Sequence, residues 1–380
     1  MLAFIAACVL PSFAVAVVAT AALRRWAPRW GLVDQPGPRK VHQQPTPLGG
    51  GLAIWLAVVL PLAAASMLAC DCLPVGLAGW LPYGVADQVN IPAGLGRLWA
   101  ILAGGTLLVA VGLIDDRRGL SWQFRLAVQL LVAVAIVAAG VRGTLFLPRP
   151  WQADWLNNLP GSVLSVLWIL VLVNAFNFLA NLDGLSSGIG LIVAAMFAGV
   201  MLGSTAQPHW LVGGTLLVLA GALAGFLVHN RHPARIFMGD SGSYFIGLVL
   251  ASLTIVGTFY NPVEASASAS RHVILAPLFV LAIPLYDFTS VMLIRLSRGL
   301  SPFAADRNHF SHRLVELGLS PRDAVRTILL ATLMTGLGGL LLYRVADWWG
   351  ALLLLALILC VLALVAILET VGRRAGNGDG

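Results

Sequence analysis

Two adjacent aspartates, Asp115 and Asp116, close a charge-free apolar run of 17 residues. Three other apolar stretches border acidic or imidazole groups in the same way. Asp183 follows in NAFNFLANLDGL, Asp240 in HNRHPARIFMGDSGS, and His309 and His312 in ADRNHFSHRL. Carboxylates gathered at the mouth of a helix bundle suit metal-assisted phosphate chemistry at a membrane surface. This convergence carries more information than any single motif.

Each group also has a plainer use. Adjacent aspartates repel, and negative charge sits badly at a helix C-terminus unless a cation compensates. Arg117 and Arg118 follow directly and could serve. A prenyl-diphosphate synthase motif would need a third Asp at position 119, which is Gly119. Asp240 stands between Gly239 and Gly242 ahead of an apolar helix. There it could meet an anion or metal with close backbone approach, or simply cap the helix. Asn230, His232 and Arg235 add polar groups to the same short loop. Asn174 and Asn177, three apart, share one helix side. Their amides could bond between helices or, as hard oxygen donors, help a carboxylate hold Mg²⁺.

His309 and His312 also share a face if their loop is helical, with Arg307 and Arg313 alongside. That arginine-rich setting suits a diphosphate better than zinc. Asp287, in PLYDF, falls inside an apolar span and must be functional or paired, for instance with Arg295. Arg39, Lys40 and His42 precede Pro45, Pro47 and Gly49 to Gly51. The cations suit phosphate, and the glycines permit close approach at the next helix start.

The elements that position these groups follow from composition. Of 380 residues, 59% are hydrophobic and 10% charged, far from the balance of a soluble domain. Charge-free runs near the length of about 20 residues needed to cross a bilayer recur at 2–22, 48–69, 97–114, 124–141, 161–179, 187–203, 209–228, 241–260, 273–294, 325–343 and 349–368. The fold class is therefore all-α: a polytopic membrane bundle of about eleven helices, because helices satisfy their own backbone in lipid. Residues 1–370 form one transmembrane domain, followed by a short polar tail at 371–380.

The first run lacks a positive leader and is followed by Arg24 and Arg25, which places the N-terminus outside. Eleven alternating crossings then put the C-terminus in the cytoplasm. Of 23 Lys and Arg residues, 17 fall in the predicted cytoplasmic segments and Arg326 lies just past one edge. The net charge of +7 thus reads as orientation and contact with anionic membrane lipids, and no nucleic-acid partner is expected. Cys8 and Cys360 sit in apolar runs, while Cys70 and Cys72 are poorly spaced for a mutual disulfide. No zinc-type spacing, internal repeat or soluble domain is present; segment 142–160 reads as an outer turn with Trp anchors.

Taken together, the motifs resemble the polyprenyl-phosphate N-acetylhexosamine-1-phosphate transferase family. The matching pieces are DQPGPRKVHQQPTPLGGG (34–51), GLIDDRRGL (112–120), NAFNFLANLDGL (174–185), NRHPARIFMGDSGS (230–243) and PLYDF through ADRNHFSHRL (284–314). They stand in the family's order, and their ends look more like the branch using UDP-N-acetylglucosamine than the branch using a muramoyl pentapeptide. The resemblance implies attack of a polyprenyl phosphate, in bacteria usually undecaprenyl phosphate, on the β-phosphorus of a UDP-sugar at the cytoplasmic face of the inner membrane, releasing UMP.

It further implies Mg²⁺, with Mn²⁺ a possible substitute, held by Asp240 and with Asn177 as second ligand. Asp115 and Asp116 would position or deprotonate the lipid phosphate. Lys40, Asp183 and Asn230 would help hold the nucleotide, His42 and Asn174 would also bind substrate, and His309, His312 and Arg313 would hold the diphosphate. A homodimer is a family-level expectation. One departure stands out: the family usually shows an Asp where this chain has Ala180. Phe310 and Ser311 also differ from commoner forms. A transporter, an inactive assembly scaffold and a pentapeptide transferase are the competing readings. Nearly all ionisable groups cluster at one face, which counts against a transporter.

Overall fold

Apolar runs of bilayer length must pair every backbone amide internally, and this chain does so with helices. The computed structural model describes residues 1–37, 44–69, 91–143, 154–203, 208–259, 271–301, 308–345 and 347–376. Within these, α1 (Leu2–Trp26), α2 (Gly50–Ala69), α3 (Ile91–Arg118), α4 (Trp122–Ala138), α5 (Asp154–Phe178), α6 (Leu185–Gly203), α7 (Trp210–Asn230) and α8 (Gly239–Phe259) form the first two-thirds of the bundle. Then come α9 (Ala276–Val280), α10 (Ala282–Ser297), α11 (Phe310–Glu316), α12 (Pro321–Leu342) and α13 (Trp348–Gly376).

Every one of the eleven apolar runs falls on helix. Nine of the described helices are long and apolar enough to cross a bilayer, or ten if a bent pair counts as one crossing. That pair spans the run at 273–294, which bends by 70° between residues 280 and 282. Pro284 explains the break, since it offers no N–H to the carbonyl of Val280 and its ring crowds that turn. The remaining run is α4, only 17 residues long. Ser121 and Ser320 start α4 and α12 by accepting the N–H of Phe124 (3.4 Å) and Asp323 (3.2 Å).

The centre of the bundle is α7 and α8, whose most apolar stretches are 78% and 83% buried, against 11% for α1 and α13 at the periphery. A small antiparallel ribbon, β1 (Val33–Asp34) on β2 (Thr46–Pro47), follows α1 and sits under the helix ends. Leu48 bridges in parallel to Phe237, and the N–H groups of Gly50 and Gly51 donate to the carbonyls of Phe237 (3.0 Å) and Met238 (2.9 Å). This welds the start of α2 to the loop entering α8. Gly51 lies so close to Gly242 that a Cβ would collide with backbone. Glycine is needed here for the close approach of two helix starts, α2 and α8.

Candidate active site

The carboxylates are placed by the C-terminus of α3 meeting the N-terminus of α8. Asp116 accepts the backbone N–H of Asp240 (2.8 Å) and the hydroxyl of Ser241 (3.1 Å). It thereby caps α8, where a carboxylate complements the helix dipole. Gly239 has φ +70°, and a side chain there would strike the Asp116 carboxylate. The cap expected of Asp240 is thus supplied from another helix, and Asp240 is left to other partners.

Those partners come from three helices. Asn177 on α5 donates its amide N–H to Asp240 Oδ1 (2.7 Å) and to the Ser243 hydroxyl (3.1 Å). Arg125 on α4 reaches Asp240 Oδ2 (3.3 Å) and Asp115 Oδ2 (2.9 Å). The Tyr244 hydroxyl lies between the two carboxylates, 3.4 Å from Asp240 Oδ2 and 3.3 Å from Asp115 Oδ2, and can donate its one hydrogen to either. Asp115 is buried and also accepts the N–H of Leu120 (2.6 Å). The adjacent aspartates are therefore split: Asp116 lines the cavity described below, while Asp115 turns inward to Arg125.

The charge beside Asp115 is balanced by Arg125, whereas Arg117 and Arg118, offered by the sequence for that task, are exposed. Arg125 and Tyr244 escaped the sequence reading. Arg125 stands in the first turn of α4, where a cation opposes the helix dipole. That was the available signal.

A cavity of about 1090 Å³ opens at this face. Asp116, Asn177, Asp183, Asn230, Asp240 and His312 all line it, with Ala180, Asp34, Arg231, Arg235, Arg322 and Arg326. Asp183 Oδ2 accepts the N–H of Ala234 (3.0 Å) and faces His232 Nδ1 (2.8 Å). Buried Asn230 accepts from Gly184 N–H (3.1 Å) and the Ser187 hydroxyl (2.9 Å), and donates to the Ile236 carbonyl (2.9 Å). Both residues strap the 231–236 loop to the turn between α5 and α6, so that loop forms a fixed wall.

Other expected site residues point elsewhere. Asn174 donates both amide hydrogens away from the cavity, to Gln129 Oε1 (2.7 Å) and the Leu170 carbonyl (2.8 Å), joining α5 to α4. His309 Nδ1 pairs with Asp287 Oδ2 (3.1 Å), whose other oxygen accepts the Phe310 N–H (2.6 Å). Asp287 is thus the cap of α11, and Arg295 lies 4.9 Å over the Phe178 ring. Arg313 is buried against Glu369 (3.2 Å) and Ser290 (2.8 Å), and does not reach the cavity. Phe310 and Ser311 pack inside, the latter donating to Asn181 Oδ1 (2.8 Å). Lys40, His42 and Arg307 lie outside the described residues, as do Cys70 and Cys72.

Comparison with known sequences decides the family. The sequence model of glycosyl transferase family 4 matches residues 98–258, which run from α3 to α8. A probable undecaprenyl-phosphate N-acetylglucosaminyl 1-phosphate transferase of Bacillus subtilis (strain 168) is 30% identical over 362 residues, covering 94% of this chain and 90% of its own. The chain belongs to glycosyl transferase family 4. A decaprenyl-phosphate N-acetylglucosaminephosphotransferase of Mycolicibacterium smegmatis is 38% identical over 331 residues, covering 82% of this chain and 75% of the relative. The undecaprenyl-phosphate alpha-N-acetylglucosaminyl 1-phosphate transferase of Escherichia coli (strain K12) is 28% identical over 334 residues, 86% and 81% of the two chains. The matched family segment contains the whole carboxylate network: Asp115, Asp116, Arg125, Asn177, Asp240 and Tyr244.

Proposed function

We propose that this protein transfers N-acetylglucosamine 1-phosphate from UDP-N-acetylglucosamine to a polyprenyl phosphate. An oxygen of the lipid phosphate bonds to the β-phosphorus, the bond from that phosphorus to the bridging oxygen breaks, and UMP leaves with the electron pair. The products are UMP and polyprenyl diphosphate-N-acetylglucosamine. One observation carries the reading: Asp116 and Asp240, from two helix ends, stand together in the wall of the 1090 Å³ cavity. A lipid phosphate can reach such a place while its tail stays beside the helices, and a nucleotide sugar can reach it from water. The relatives' activities agree.

Transfer of this kind depends chiefly on positioning and charge neutralisation. Among the described residues no three His, Cys, Asp or Glu side chains form a ready metal cage. Mg²⁺ does not require one, because it commonly takes one or two carboxylates and completes its shell with water and substrate phosphates. The hard oxygens of Asp240 and Asp116 fit that need, and Mg²⁺ bound there would neutralise the diphosphate. Asn177, whose N–H holds Asp240, would orient that carboxylate, and an oxygen-ligand role would require its amide to turn over. The phosphate acceptor is largely dianionic near neutral pH, since its second pKa is about 6. A strong general base is therefore unnecessary, and Asp116 serves as the cavity-facing member of its pair. Asp183 and Asn230 keep the nucleotide-side wall in shape, and His312 meets the diphosphate.

The charge bias supports a cytoplasmic cavity in the bacterial inner membrane, with eleven crossings, the N-terminus outside and the C-terminus inside. The deciding assay is UMP release by the purified protein with undecaprenyl phosphate, Mg²⁺ and a panel of UDP-sugars. Release with UDP-N-acetylglucosamine that EDTA abolishes is expected. Folded protein that yields no UMP with any donor would move the scaffold reading to the front.

A further inference from the structure

The short helix α11 carries His312 into the cavity, yet seven residues cannot hold themselves in place. Its front is tied by Asp287, which takes the Phe310 N–H and His309, and by Ser311 on Asn181. Its rear is tied through Arg313. That guanidinium meets Glu369 Oε2 at 3.2 Å, Ser290 Oγ at 2.8 Å and the face of the Tyr286 ring at 5.8 Å. Both charged side chains are only 6% exposed, and the Tyr286 hydroxyl donates to the same Glu369 oxygen (3.2 Å).

Glu369 belongs to α13, a peripheral helix with only 11% of its apolar stretch buried. Leu352, Leu353, Leu357, Leu364 and Ile367 all face outward. A buried ion pair in such a helix contributes little to the central core built on α7 and α8. Its geometric consequence falls instead on α11, where Arg313 directly follows His312.

We infer that Glu369 is a positioning residue, whose buried pair with Arg313 fixes α11 from behind and so sets where His312 stands in the cavity. The inference rests on the transferase reading for its kinetic consequence, but not for its structural one. Replacing one partner leaves the other charge buried and uncompensated, and a displacement near 1 Å at a reacting site costs rate or affinity steeply.

The test compares Glu369→Gln with the full-length parent in detergent micelles, by hydrogen exchange and by kinetics. Amide protection of residues 308–317 should fall about tenfold while α7 and α8 keep theirs. KM for the UDP-sugar should rise about tenfold, with KM for the polyprenyl phosphate within twofold. Tyr286→Phe, which keeps both charges and removes one hydrogen bond to Glu369, should move both readouts the same way by about two- to threefold. It also carries the test should Glu369→Gln fail to fold. Unchanged protection of 308–317 would overturn the anchor. A loosened α11 with unchanged donor KM would overturn its effect on His312. Absence of UMP from the parent itself is a failure of the transferase reading, and exchange then decides the anchor alone.

Discussion

The carboxylate corner and the histidine corner of the cavity use their motif residues in opposite ways. At the first, Asp115, Asp116, Asn177 and Asp240 join one hydrogen-bonded network, and three of the four line the cavity. At the second, Asp287, His309 and Arg313 turn inward, and their neighbour His312 reaches the cavity. The difference follows from what holds each corner. Long helices α3, α5 and α8 are fixed by their length and by backbone contacts through residues such as Gly51 and Gly242. Their terminal side chains Asp116, Asn177 and Asp240 can therefore face the cavity. A seven-residue helix has no such support, so its polar residues are consumed in anchoring it.

The largest test of this contrast is Asp240→Asn. Removing a carboxylate that would hold Mg²⁺ against the diphosphate should lower UMP release at least a hundredfold. The same substitution should leave Arg125 with Asp115 as its remaining close carboxylate. If His312→Ala cost more than Asp240→Asn in a parallel assay, the ranking of the two corners would be inverted.

A finer cut separates the adjacent aspartates. Asp116→Asn should cost about a hundredfold in kcat/KM, since it faces the cavity. Asp115→Asn should cost about tenfold, because it touches Asp240 only indirectly, through their shared partners Arg125 and Tyr244. Equal losses from the two variants, measured as UMP release at saturating lipid phosphate and low donor, would sink that division of roles.

How much of this was readable beforehand depends on the length scale. Bilayer-long, charge-free runs are robust, and all eleven fall on helix in the fold. The 70° bend before α10 was less visible, although Pro284 stood at the break. The pairing of β1 with β2 involves two residues on each strand and had no periodicity to announce it. For the site, residue types were readable and directions were not. Neighbours on a helix differ by about 100°, so Asp115 and Asp116 had to face different surroundings. Which one met the cavity was settled by where α4 and α8 pack. The same limit applies to Arg313, adjacent to His312 yet aimed at Glu369, a residue 56 positions away with no motif around it.

The smallest expected effect concerns Asn174, which shared a predicted helix side with Asn177 but joins α5 to α4 through Gln129. Its Nδ2 spends both hydrogens on Gln129 and Leu170, and neither partner belongs to the cavity wall. Interhelical hydrogen bonds of this kind stabilise membrane bundles by about 0.6 kcal/mol on average, because the separated helices also find partners. Asn174→Leu should therefore lower stability in detergent by about that amount while UMP release stays within about twofold of the parent. Asn177→Leu, one turn nearer the helix end, should behave oppositely, with most of its effect on turnover because it frees one oxygen of Asp240. A tenfold loss of turnover in Asn174→Leu at unchanged stability would place that amide in the catalytic machinery, and would mean that the carboxylate corner extends a full turn deeper between α4 and α5 than its hydrogen bonds indicate.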